Sequence, residues 1–116
     1  MIKKSNEFVP ELRENMRGGD GIVSVTNFVI GDELNNKGRL FGKIVLNPGC
    51  GIGFHIHEKD SELFYIVKGS AVYDDNGVIK TVTAGDVTLT PAGTGHAIKN
   101  ESNEVVELIA LIVYAE

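Results

Sequence analysis

The sequence predicts an all-β protein, one sandwich or barrel of short antiparallel strands, and three observations predict it. From Gly21 onward, turn residues recur about every 8 to 12 positions, and the runs between them are rich in β-branched and aromatic residues. Asn76-Gly77 separates two such runs, and this dipeptide supplies the positive φ angles that a type I′ hairpin turn needs. No amphipathic stretch of helical length lies between the strand signals, so a parallel βαβ sheet is not expected.

The elements follow in order. Residues 1–20 are polar and read as an N-terminal arm. Within it, Pro10 to Met16 predicts a short helix, with proline near its start and Gly18-Gly19 past its end. Residues 21–116 read as a single β-barrel domain, the size at which one ordinary core is possible without staples. Strands are expected over Ile22–Ile30, Leu40–Asn47, Gly53–Glu58, Glu62–Lys68, Ser70–Asp75, Val78–Thr83, Asp86–Pro91, Gly95–Glu101 and Glu104–Tyr114. Leu63 to Val67 and Leu108 to Val113 are apolar at consecutive positions, so both faces of those strands carry apolar groups. One face belongs in the barrel. The other needs cover, from the arm or from a second copy, and a homodimer is expected.

Composition narrows the function. Hydrophobic content of 42% and charged content of 23% are globular values. A net charge of -5 and only three arginines (Arg13, Arg17, Arg39) argue against nucleic acid, which needs a basic face. Cys50 is the only cysteine, so no intrachain disulfide forms. The opening lysines are followed by polar residues, unlike a secretion signal. The most apolar run, Val105 to Ala115, is too short for a membrane span and carries Glu107. No membrane association and a cytoplasmic location are expected.

The chemistry concentrates in the three histidines. His55 and His57 lie two apart on a predicted strand, so they project from one face about 6.6 Å apart along the chain, with Phe54 and Ile56 on the other. Two imidazoles so placed can converge on one metal ion at about 2.1 Å from each nitrogen. After the polar turn Glu58 to Ser61, Glu62 opens the next strand and can offer its carboxylate. His96 opens another strand after the loop Pro91 to Gly95. Three imidazoles and a carboxylate suit a divalent transition metal better than calcium or magnesium.

These residues resemble the cupin superfamily. Its first motif is matched by Gly49, five residues, His55, one residue, His57, four residues, Glu62, six residues and Gly69. Its second is matched by Gly85, five residues, Pro91, one residue, Gly93, two residues, His96, three residues and Asn100. The short stretch between them, Ser70 to Ala84, is similar to that of small single-domain members. The resemblance covers about Gly38 to Tyr114 and implies a double-stranded β-helix, a jelly-roll-like barrel of two antiparallel sheets. It implies a metal site at His55, His57, Glu62 and His96 near one mouth, and dimers. The motif glycines read as turn residues. Asn100 reads as a backbone-bracing amide rather than a support for the metal ligands.

The resemblance implies, as the leading reading, a metal-dependent enzyme of dioxygenase, decarboxylase or isomerase type, acting on a small oxygen-rich metabolite. The alternative, which the short chain and the lack of a recognisable acid/base partner support, is a non-catalytic ligand-binding or sensor module; a third reading gives the metal a structural role only. Manganese, iron, nickel, cobalt and zinc all suit the ligand set, and a six-coordinate ion would keep two positions for a small chelating ligand. Strand spacing from Glu62 and His96 places Phe64, Ile66 and Ile98 in the pocket lining. Tyr65 and Tyr73 can lie on either face. Cys50 reads as a structural thiol and Arg39 as an exposed turn residue. No general acid or base is identified.

Overall fold

The computed structural model describes residues 1–116. Ten strands form: β1 (Glu11–Glu14), β2 (Ile22–Asn27), β3 (Gly38–Leu46), β4 (Gly51–His57), β5 (Asp60–Lys68), β6 (Ser70–Asp75), β7 (Val78–Thr83), β8 (Val87–Thr90), β9 (Thr94–Lys99) and β10 (Val106–Tyr114). They make a six-stranded sheet of order β1-β2-β3-β10-β5-β8 and a four-stranded sheet of order β4-β9-β6-β7. Every pairing is antiparallel. This is the expected jelly-roll-like barrel of two sheets. No helix is long and apolar enough to cross a membrane.

Side-chain alternation builds the core. On β10, Val106, Leu108, Ala110 and Ile112 are buried, while the residues between them face outward. With Val23, Val25, Ile44, Leu46, Ile52, Phe64, Ile66 and Ile98 they fill the space between the sheets. Each such large side chain contributes about 1.5–3 kcal/mol by leaving water. The opposite faces of β5 and β8 leave Tyr65, Val67, Val87 and Leu89 exposed.

The hairpin forms as expected: Asn76 and Gly77 have φ of 50° and 99°, between the paired residues Asp75 and Val78. The N-terminal segment departs from expectation. Pro10 to Met16 is not helical; Glu11–Glu14 is strand β1, paired with β2 from Glu11 opposite Val25 to Glu14 opposite Ile22. Two turns of helix are too short to be stable alone, and the free edge of β2 offers the same backbone groups cross-strand partners. Left-handed backbone at Asn15 (φ 50°) and Arg17 (φ 53°) then turns the chain through a short 3-10 segment, Met16–Gly18. Residues 28–30, expected to prolong β2, leave the sheet before a 3-10 turn at Gly31–Leu34.

Asn100 braces backbone. It is fully buried, donates from its amide nitrogen to the Leu46 and Glu104 carbonyls at 2.9 and 2.6 Å, and accepts from the Ser102 N–H and hydroxyl at 2.9 and 2.6 Å.

Candidate metal centre

Three strands bring the predicted residues together inside the barrel. β4 turns His55 and His57 inward and leaves Phe54 and Ile56 about half exposed. β9 pairs with β4 so that His96 lies directly opposite His55. Glu62, third in β5, points in from the other sheet and is 5% exposed. Gly93, in the turn before β9, has φ of 90°, which a side chain would resist, and its N–H donates to the His57 carbonyl at 2.6 Å. That contact ties the His96 loop to the His57 strand.

The ligand-capable atoms of His55, His57, Glu62 and His96 all lie within 4.8 Å of one another. His57 Nε2 and His96 Nε2 are 3.1 Å apart, and Glu62 Oε1 lies 3.1 and 3.0 Å from them. Donors about 2.1 Å from a common ion lie about 3.0 Å apart at right angles and about 3.4 Å apart in a tetrahedron. The three separations among His57, Glu62 and His96 match right angles. The group can hold a metal ion, and it suits one that accepts more than four ligands.

Each imidazole is oriented through its other nitrogen. His55 Nδ1–H donates to the Gly53 carbonyl at 2.8 Å, and His57 Nδ1–H donates to Asp60 Oδ1 at 2.6 Å. His96 Nδ1 lies 2.7 Å from the Tyr73 hydroxyl and 2.9 Å from Thr90 Oγ1. A proton on Nδ1 leaves the Nε2 lone pair free to face the shared point. Phe64 stacks on the His96 ring, centroids 5.1 Å apart.

The electrostatics fit a cation-binding cluster. Burial pushes the Glu62 carboxyl up, but hydrogen bonds from His57 and His96 outweigh it and hold it below the usual range. His57 is raised, chiefly by the Glu62 carboxylate; burial opposes this and Asp60 adds to it. His55 is lowered by burial, despite the Gly53 carbonyl. Burial would raise Asp60, yet Arg39 and His57 hold it low. Arg39 Nε donates to Asp60 Oδ2 at 2.9 Å, so a chain runs from Arg39 through Asp60 to His57. Asp60→Asn is therefore expected to weaken metal affinity about 10- to 100-fold with little change in fold. Competition with a chelator measures it, and unchanged affinity would make Asp60 a bystander.

Beside the cluster lies a cavity of about 70 Å³. Its apolar walls include Met16, Leu40, Ile44 and Ile52, and all three arginines, Arg13, Arg17 and Arg39, line it. Phe64, Ile66 and Ile98 do not. All three belong to the core, on β5 and β9, whereas the cavity opens toward β1, β2, β3 and β4. Cys50 sits in the turn before β4, with Sγ 3.9 Å from the Pro48 carbonyl, outside the cluster.

Several residues here escape the sequence reading. Asp60 lies in the gap between His57 and Glu62, where its spacing alone reads as a turn. Tyr73 is fixed inward, 2% exposed, by a register that the sequence leaves open. Arg13 and Arg17 reach the cavity because β1 is a strand and not a helix. Their one signal was scarcity, since they and Arg39 are the chain's only arginines.

Comparison with known proteins agrees with this geometry. The family model for the cupin domain matches residues 42–114. An oxalate-binding protein from Thermotoga maritima is 40% identical over 113 residues, spanning 97% of this chain and 93% of that protein. A crystal structure described as a predicted oxalate decarboxylase from Thermotoga maritima superposes with a TM-score of 0.94 at 39% identity, covering 98% of this chain and 99% of that one. A cupin 2 conserved barrel protein from Salinispora arenicola shares the fold at a TM-score of 0.75 and 21% identity, over 99% of this chain and 88% of that one.

Proposed function

The chain belongs to the cupin family, and from that premise we propose that it binds a small dicarboxylate of the oxalate class at a divalent metal held by His55, His57, Glu62 and His96. One observation carries the proposal: His57, Glu62 and His96 meet at separations of 3.0 and 3.1 Å, with the His55 donor within 4.8 Å of them, beside a cavity of about 70 Å³ that three arginines help to line. The cavity is small and cationic, which suits a compact dianion able to chelate through two oxygens. The bound metal would supply Lewis-acid binding of carboxylate oxygens. Manganese, iron, cobalt and nickel accept right-angle donors more readily than tetrahedral zinc does. The Thermotoga maritima relative, an oxalate-binding protein, supports the ligand class.

Binding without turnover is the reading the residues favour. The titratable groups lining the cavity are arginines and the proposed ligands themselves, so none is free to serve as a general acid or base. Titration of manganese-loaded protein with oxalate is expected to show saturable heat at one site per chain, with no formate or carbon dioxide released on incubation. Formate release would establish the decarboxylase reading instead. Absence of any oxalate binding would remove this ligand class.

The exposed apolar residues Tyr65, Val67, Val87 and Leu89 on one sheet face support a homodimer. Sedimentation at the mass of one chain would contradict it.

A further inference from the structure

The three arginines at the cavity are not equivalent. Arg39 is committed to Asp60, at 2.9 Å. Arg13 Nη2 donates to Glu11 Oε2 at 3.1 Å, which offsets part of its charge. Arg17 makes no side-chain hydrogen bond and no ion pair, and its positive charge is felt at the His55 ring. In a chain of net charge -5, an unpaired guanidinium beside the proposed ligand group is the one arginine there left free to attract an anion.

The backbone fixes Arg17 there. Its φ of 53° lies in the left-handed region, unfavourable for an arginine, and such backbone persists only where the surroundings impose it. The surroundings are the β4 backbone. A Cβ on Gly53 would lie 2.1 Å from the Arg17 carbonyl oxygen, and one on Gly19 would lie 2.3 Å from the Gly51 carbonyl oxygen. The turn therefore lies flat on β4, two residues from His55. The Gly51 N–H donates to the Asp20 carbonyl at 2.9 Å, and Lys99 Nζ pairs with Asp20 at 2.8 Å, pinning the far side of the turn. None of the three arginines falls within residues 42–114, so the matched cupin segment does not account for them.

We propose that Arg17 is a specificity-determining residue that receives the outer oxygens of a dianionic ligand and sets the site's preference for dicarboxylates over monocarboxylates. The proposal rests on the reading that carboxylates bind at the His55–His57–Glu62–His96 centre. A dicarboxylate that offers one oxygen of each carboxylate to a metal keeps two outer oxygens. A guanidinium fork matches such a pair, and a monocarboxylate has no second carboxylate to offer it. Arg13 adds charge at the same mouth without competing for the contact, because Glu11 already engages it.

The test compares wild type with Arg17→Asn in the full-length, manganese-loaded protein, by calorimetric titration with oxalate and with acetate. Asparagine tolerates left-handed backbone, so the variant removes the guanidinium without straining the turn, and its melting temperature is expected to equal or exceed that of wild type. Manganese content is expected to be unchanged. Oxalate affinity is expected to fall about 10- to 100-fold, with acetate affinity changed less than about twofold, and Arg17→Lys is expected to recover part of the loss. Equal oxalate affinity in wild type and Arg17→Asn would overturn the role of Arg17 while leaving the metal-centred reading in place. Failure of the wild type to bind either carboxylate would overturn that underlying reading, and the proposal with it.

Discussion

His57→Ala is expected to abolish retention of metal during purification and, with it, oxalate binding. His57 is engaged through both ring nitrogens. Its Nε2 lies 3.1 Å from both His96 Nε2 and Glu62 Oε1, while its Nδ1–H is held by Asp60 at 2.6 Å. Alanine removes a donor and leaves Glu62 and Asp60 with one partner each, His96 and Arg39. The loss of affinity should therefore exceed the roughly 10- to 100-fold expected from removing a group that only supports a ligand. Metal content equal to that of wild type would remove His57 from the site. The same residue sets the pH response. In the metal-free protein its pKa is raised, so its contribution to stability is fully present below the ordinary histidine value of about 6.5 and is lost as pH rises through the folded value. Metal binding needs His57 neutral, so protons compete from a pH above about 6.5 downward. The rise in melting temperature on adding metal should grow between about pH 6 and pH 8. A rise independent of pH over that window would contradict histidine ligation.

Asn100→Ala is expected to lower stability by about 2–4 kcal/mol, read as a fall in melting temperature on the order of 10 °C. Four hydrogen bonds converge on this side chain in a place closed to water. Alanine leaves the Leu46 and Glu104 carbonyls short of a partner and opens a small void. Asn100 also ties into the turn before the histidine strand: its N–H donates to the Cys50 carbonyl at 2.9 Å, and its carbonyl accepts from the Gly49 N–H at 2.8 Å. The variant should keep its metal at low temperature, because no Asn100 atom touches the four proposed ligands. A melting temperature within a degree or two of wild type would show that the bracing is dispensable.

The barrel was legible because its strands alternate and its turns are marked by residues with specific backbone needs. Ser70–Asp75, Val78–Thr83 and the Asn76-Gly77 turn match the expected bounds. The grouping of His55 and His57 was legible because spacing two apart on a strand places them together whatever the rest of the fold does. Other features depend on partners far along the chain. Glu11–Glu14 carries local helix signals, but pairing with Ile22–Val25 prevails, and only that pairing brings Arg13 and Arg17 to the cavity. Tyr73 faces inward because β6 pairs with β9 in one register, opposite Ile98, and no local pattern states that register. Ile66 and Ile98 share the inward-facing sides of their strands with Glu62 and His96, yet the cavity lies on the other flank of the cluster. Period-two spacing gives a face, not a direction along it.

The most direct measurement is the elemental composition of the full-length protein, purified without added metal and without a histidine tag, alongside His57→Ala prepared the same way. One divalent transition metal ion per chain in the wild type, absent from the variant, is the predicted result. A metal-free wild type that cannot be loaded, or equal metal in both proteins, would contradict the assignment of His55, His57, Glu62 and His96 as a metal centre.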